Sequence, residues 1–200
     1  ELFPLFFRNP EHRHEPVSRA AARPISPPVL AALRSQNPNS PSLARLEAPC
    51  AMVVTGQQLG VLGGPLFTLY KIASAVSLSR LLEKETGVPV IPIFWLQSED
   101  HDFEEVRSAQ LLGTNHELCS VTLPPTPAGL GGSVGKIIVD ADSSTLFAEL
   151  IHRYFDGRAQ PVDIEVLLNA YRSGASLANA LANFVRHYFA DEGLLVFDAH

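Results

Sequence analysis

Cysteine, lysine, methionine and tryptophan are all scarce in this sequence. The two cysteines, Cys50 and Cys119, are too few and too far apart for a disulfide framework or a zinc ribbon, so a reducing cytoplasm is the expected compartment. Positive charge is short as well: a net charge of −6 argues against nucleic acid or an anionic membrane as the main partner. No long apolar run exists, because Pro89 and Pro92 break the longest stretches, and nothing in the sequence is built to cross a bilayer. No charged-then-apolar leader is visible. The opening Glu1, and the end at His200 just after the apolar run Leu194 to Asp198, read as marks of a fragment of a longer protein. Hydrophobic residues at 46% against 18% charged exclude a disordered chain.

Proline divides what is present. Nine of the 16 prolines lie before Cys50 and none after Pro161. Residues 1–49 therefore read as a wrapping segment holding one helix, Pro28 to Arg34 with Ser26 as its cap, and a short turn near Ser42 to Leu46. From residue 50 to 200 the pattern is that of an α/β domain. Met52-Val53-Val54 is a short strand and Gly56 to Gly64 a loop. A helix opens at Pro65 and stops at Gly87, and Val90 to Leu96 is a second, continuous apolar strand. Pro92 cannot donate to a ladder, which predicts a bulge there or regular pairing only beyond it. Alternating runs at Ala109 to Leu112 and Glu117 to Leu123 predict a β-hairpin. A strand at Lys136 to Val139 follows, then helices at Ser144 to Tyr154, Ile164 to Tyr171 and Leu177 to Ala190, and a last strand at Leu194 to Phe197. The fold expected is α/β, a Rossmann-like parallel sheet with flanking helices and an added hairpin.

Two constellations follow strands, where open α/β sheets bind ligands. The first is Thr55-Gly56-Gln57-Gln58 through Gly63-Gly64-Pro65. Its glycines allow close backbone approach and its glutamines supply donors and acceptors. It matches neither the dinucleotide fingerprint nor the phosphate loop, so a ligand loop and a tight crossover both fit. Lys71, two turns further on, reads as a phosphate partner or a solvated lysine. The second is Glu99-Asp100-His101-Asp102-Phe103-Glu104-Glu105. Five carboxylates within seven residues repel one another unless a cation, base or ligand amine balances them. His101 between Asp100 and Asp102 suits a general base or a metal ligand, and a solvated acidic turn is the bland alternative. Asp198, ending the last strand, is a further candidate for the same crevice. The glycine-rich run Gly129 to Gly135 before Lys136 fails as a phosphate loop and reads as a flexible loop.

Taken together, Val54-Thr55-Gly56-Gln57-Gln58, Gly63-Gly64-Pro65-Leu66-Phe67-Thr68 with Lys71, Pro92-Ile93-Phe94-Trp95-Leu96 and Glu99-Asp100-His101-Asp102-Phe103 closely resemble the cysteine ligase family of bacillithiol biosynthesis. The helix 177–190 with Gly193-Leu194 and Asp198 resembles it too. The likeness runs from about residue 50 to 200 and is loose before that. It implies a longer protein with a helical coiled-coil region, a homodimer, and a cytoplasmic ligase that joins the carboxyl group of cysteine to the amine of glucosaminyl-malate. It also implies ATP as the activating co-substrate, with Mg2+ beside it. Class I nucleotidylyl transferases, whose fold is similar, place two histidines where this sequence has Gly63-Gly64-Pro65-Leu66-Phe67, so adenylate and phosphate intermediates both stay open. On this likeness Gln57, Gln58, Gly63 and Gly64 would hold phosphate or the cysteine carboxylate, and Lys71 would offset negative charge. Glu99, Asp100 and Asp102 would receive an amine or Mg2+, and His101 would be the general base. No protein-held metal is assigned. Two other classes compete: a metal-dependent hydrolase of an amide or sugar substrate built on Asp100, His101 and Asp102, and a non-catalytic ligand-binding domain.

Overall fold

The protein is described by a computed structural model over residues 9–113, 115–124 and 132–199. Three helices, α1 (His14–Ala21), α2 (Pro27–Gln36) and α3 (Ser42–Arg45), precede β1 (Ala51–Gln58). Then come α4 (Phe67–Thr86), β2 (Val90–Gln97), α5 (Phe103–Val106), β3 (Ser108–Leu112) and β4 (Leu118–Thr122). Helices α6 (Ala141–Phe155), α7 (Pro161–Ala170) and α8 (Leu177–Phe189) lead to β5 (Leu195–Asp198). Strands β1, β2 and β5 form one parallel sheet in the order β1-β2-β5, and β3 pairs with β4 in the expected antiparallel hairpin. The described residues fall into two compact units, one of residues up to 56 with 70–95 and 189–198, the other of 57–69 with 96–188.

In the first unit the central strand β2 is covered on both faces from Val90 to Phe94, as parallel strands require. Neighbouring residues of a strand point to opposite faces. Ile91 and Ile93 pack with Leu195 of β5 against Leu33 of α2, Leu46 and Cys50, while Val90 and Ala51 pack against Val17 and Ala21 of α1 and Leu82 of α4. Ion pairs tie the helices down: Arg45 reaches Glu83 and the Val90 carbonyl, and Arg13 holds Glu85 at 2.8 Å.

The free side of β5 is closed by side chains. Asn37, only 4% exposed, accepts the Val196 N–H at 2.8 Å and donates to the Val196 carbonyl at 2.7 Å. Gln36 does the same for Asp198, at 2.8 and 2.6 Å. Two successive carboxamides thus pair the outward backbone groups of an edge strand, which otherwise would need another strand or water.

The second unit holds the hairpin and helices α5 to α8. Phe147 and Ile151 of α6 are fully buried, and the Phe147 ring lies 4.4 Å from that of Tyr171, itself 2% exposed. Asp140 caps α6 by accepting the Ser143 N–H at 2.7 Å, and Ser176 caps α8, its hydroxyl accepting the Asn179 N–H at 3.2 Å.

Several local expectations need correction. Ser26 stands at the N-cap of α2 but makes no side-chain cap bond. Helix α4 starts at Phe67, because Thr68 and Leu69 donate three residues back to Pro65 and Leu66, a tighter turn than α. Strand β2 runs unbroken through Pro92. The Ala51 N–H donates to the Pro89 carbonyl, so odd-numbered residues face β1 and Pro92 turns its missing donor to the other side, where β5 supplies only four residues. Residues Lys136 to Val139 form no strand: a 3-10 turn covers Val134–Lys136, and Ile138 makes one isolated bridge with Ser176. Their partner is the short turn before α8, too brief to extend a ladder.

Asn37→Ala should unpair the Val196 backbone groups at a cost of about 1–3 kcal/mol each. For a chain of this size that lowers the melting temperature by roughly 2–4 °C per kcal/mol. Calorimetry showing an unchanged melting temperature would mean that water replaces the amide at no loss.

Candidate functional site

Strand β1 does not stop at Thr55. It continues to Gln58 because Gly56 lets it pass Trp95: a Cβ there would stand 3.2 Å from the Trp95 carbonyl oxygen and 3.3 Å from Trp95 Cβ. Gln57 and Gln58 are therefore strand residues rather than loop residues, with side chains on opposite faces. In the same unit Lys71 of α4 donates from Nζ to the Gly56 carbonyl. Asp198 sits at the end of β5 with its backbone held by Gln36.

In the second unit Asp100 is the hub. Its Oδ2 accepts from Gln58 Nε2, and its Oδ1 accepts the N–H groups of His101 at 2.7 Å and Asp102 at 3.0 Å. The Asp102 N–H first, then the Gln58 amide, with the His101 N–H behind them, hold the Asp100 carboxyl below its ordinary range. Gln58 Nε2 also donates to Glu105 Oε2 at 3.2 Å, so one amide group bridges two carboxylates. Asp102 caps α5 by accepting the Glu105 N–H at 3.1 Å, and Glu104 pairs with Arg107 at 2.8 Å. Repulsion within the cluster is thus offset by local donors. Glu99 and His101 are left exposed, and among the described residues the His101 ring has no hydrogen-bond partner. Asp100 takes the His101 backbone, not its ring.

The glycine-rich loop owes its glycines to packing. Leu62, Gly63 and Gly64 have φ of 54°, 93° and 72°. A Cβ on Gly63 would lie 2.9 Å from the Phe184 ring of α8, and one on Gly60 would lie 2.6 Å from Gly64 Cα. The N–H groups of Gly63 and Leu62 approach the Tyr171 hydroxyl oxygen without reaching hydrogen-bond geometry. Burial pushes that hydroxyl up to about 12, with the two N–H groups pulling the other way. Those donors face inward to a tyrosine. At Gly63 the loop backbone is therefore packed against protein, Tyr171 and Phe184.

Two residues that the sequence reading noted take a part it did not assign them. Glu105 shares the Gln58 amide with Asp100, a contact between residues 47 positions apart that no local pattern announces. Gly135, read as part of a flexible loop, seats the acidic turn. Its N–H donates to the Ser98 carbonyl at 3.0 Å, and the Val134 N–H donates to the Asp100 carbonyl at 2.8 Å. A Cβ on Gly135 would fall 2.6 Å from Ser98 Cβ. Gly129 to Gly131, the first part of that run, lie outside the described residues.

Among the described residues no three His, Cys, Asp or Glu side chains converge to hold a metal ion, so the hydrolase reading finds no ligand set. No described helix is long and apolar enough to cross a membrane.

Residues 29–200 match the family described as bacillithiol biosynthesis BshC, N-terminal Rossmann-like domain. A protein of Solibacter usitatus named "Putative cysteine ligase BshC" is 35% identical over 163 residues, covering 81% of this chain and 30% of the relative. One of the same name from Salinibacter ruber is 31% identical over 204 residues, covering 98% and 37%. A third, from Heliobacterium modesticaldum, reaches 48% over 85 residues, 42% of this chain and 16% of the relative. The chain spans about a third of the length of the first two of these relatives.

Asp100→Asn should change how stability depends on pH. A carboxyl with a lowered folded pKa contributes stability above its unfolded value and loses it as pH falls through the folded one. The variant should therefore melt below the wild type at pH 7, and the gap should close as both are taken below about pH 4. A gap that stays constant down to pH 2.5 would show that Asp100 contributes through shape alone. Gly135→Ala should destabilise by about 1–3 kcal/mol through overpacking against Ser98, read by chemical denaturation.

Proposed function

The chain belongs to the bacillithiol biosynthesis BshC family through its N-terminal Rossmann-like domain, and on that premise we propose that its protein joins the carboxyl group of cysteine to the amine of glucosaminyl-malate, with ATP as co-substrate. In this reading the protein works in the cytoplasm as a homodimer, and residues 9–49 wrap the Rossmann-like domain that starts at residue 50. Amide formation from a free carboxylate runs uphill in water, so ATP supplies the leaving group that makes the cysteine carboxyl an acyl donor. The attacking amine must then lose a proton as its nitrogen bonds to the acyl carbon and the leaving group departs.

The observation that carries this reading is the locking of Asp100. Three donors keep its carboxylate ionised and fixed, so it suits holding a substrate ammonium or Mg2+ rather than exchanging a proton. Were Mg2+ to enter with ATP, Asp100 and Glu105, which share the Gln58 amide, would hold it and so offset phosphate charge. Beside them His101 is exposed, and its ring has no hydrogen-bond partner among the described residues. It is the group available to take the amine's proton. Asp102 and Glu99 complete the negative side of the site. Gln57, Lys71 and Asp198 are assigned to substrate or nucleotide. Gln58 orients Asp100, and Gly63 and Gly64 shape the loop that follows β1.

Incubating the full-length protein with ATP, cysteine and glucosaminyl-malate, with mass spectrometry of the products, tests the reaction. Absence of bacillithiol under those conditions would remove it. His101→Ala should lower kcat by about 10²–10⁴-fold with KM within a few fold and the melting temperature unchanged. Near-normal kcat in the folded variant would leave the cluster as a binding site without a base.

A further inference from the structure

The second unit carries a cleft of about 380 Å³ between α7 and α8, lined by none of the residues placed in the ligase site above. Its polar lining comes from Asn169, Arg172, Asn179, Asn183 and His187, and no carboxylate is among the lining residues. In a chain of net charge −6 that is an unusual concentration of donors. Among the described residues the side chains of Asn169, Arg172 and Asn179 make no hydrogen bond or ion pair. Asn183 spends its carbonyl oxygen on Arg186 at 3.1 Å, which leaves its NH2 group for the cleft. Asp163 borders the cleft at His187: it accepts the Tyr188 hydroxyl at 2.8 Å and stands 3.6 Å from His187 Nε2, at the end of the cleft away from Arg172's backbone turn.

The rim that bears Arg172 is held firmly. Tyr171 before it is 2% exposed and packed on Phe147. After it Gly174, at φ +86°, donates to the Val139 carbonyl at 2.9 Å, and Ala175 accepts the Val139 N–H at 2.8 Å and donates to the Arg172 carbonyl at 3.1 Å. The guanidinium is therefore presented from a fixed backbone rather than from a loose loop.

We propose that this cleft binds a small hydroxylated carboxylate, a molecule of the sugar-acid class. A guanidinium forks onto a carboxylate through two parallel N–H bonds. Carboxamides both donate and accept, which matches neighbouring hydroxyl groups. With one permanent positive charge in the lining, a monoanion fits better than a doubly charged phosphate. The volume lies at the small end of the range for ligand sites, roughly 300–1,000 Å³.

Gluconate is the probe, with glucose and acetate each lacking one half of the recognised group. Titration of the purified protein is followed by two-dimensional NMR of the asparagine side-chain amides and the arginine Nε–H groups. Gluconate should saturate, with glucose and acetate each about tenfold weaker or more. Arg172→Gln should weaken gluconate about tenfold or more, as expected on losing a charge-assisted pair, and Asn179→Asp should abolish binding by setting a carboxylate in the cleft. Both side chains are exposed and unbonded, so melting temperatures should stay unchanged, and Asn169→Ala gives a third folded variant. Failure of gluconate to saturate, equal affinity for acetate, or unaltered affinity in Arg172→Gln would overturn the proposal whether or not the ligase reading stands.

Discussion

Asn37 closes the open side of β5 with both halves of its carboxamide, and Gln36 repeats the arrangement one pair further along. A parallel strand of four residues has few ladder bonds of its own, and every outward N–H and C=O left bare would weigh against its forming. Supplying those partners from the end of α2 does two things at once. It completes the sheet without a further strand, and it pins α2 where Leu33 covers Ile91, Ile93 and Leu195. The amide from residue 37 thus joins the hydrogen bonding of the sheet to the packing of its hydrophobic face. Ser42 adds a similar tie, its hydroxyl donating to the Gly193 carbonyl at 2.8 Å just before β5 begins.

The acidic turn after β2 shows how five neighbouring carboxylates coexist. Each of four is given a donor: turn N–H groups and Gln58 for Asp100, a helix start for Asp102, Arg107 for Glu104, Gln58 again for Glu105. Backbone N–H groups and amides stabilise a carboxylate without cancelling its charge in space, so the turn stays a negative surface while ceasing to repel itself apart. That separates two roles. The locked carboxylates provide fixed charge, and the exposed imidazole of His101 beside them stays outside that hydrogen-bond network.

Glycine serves different ends at its several positions. At Gly56 it lets β1 run past Trp95, at Gly63 it admits the Phe184 ring, and at Gly135 it admits Ser98. In each case the missing Cβ makes room for protein rather than for a ligand. The two glycine-rich runs therefore differ less than their sequences suggest: each uses a missing Cβ for close packing, Gly63 beside the Phe184 ring and Gly135 on Ser98.

Much of the fold was legible in the residues. Continuous apolar runs marked β1 and β2 as buried parallel strands, alternation marked the hairpin of β3 and β4, and Gly87 marked the end of α4, because these signals depend on neighbours within a few positions. The GQQ and EDHDF segments also stood out as the candidate site, one at the carboxyl end of β1 and the other just after β2. What the tertiary structure alone decided are the partnerships across distance. Gln58 turns to Asp100 and Glu105, Asn37 to Val196, Gly135 to Ser98, and Ile137 to Val139 join the turn before α8 instead of forming a strand. A carboxamide, a glycine or a short apolar run is compatible with many surroundings. Which donor meets which acceptor is set by packing, and packing is fixed only when segments far apart in the chain come together.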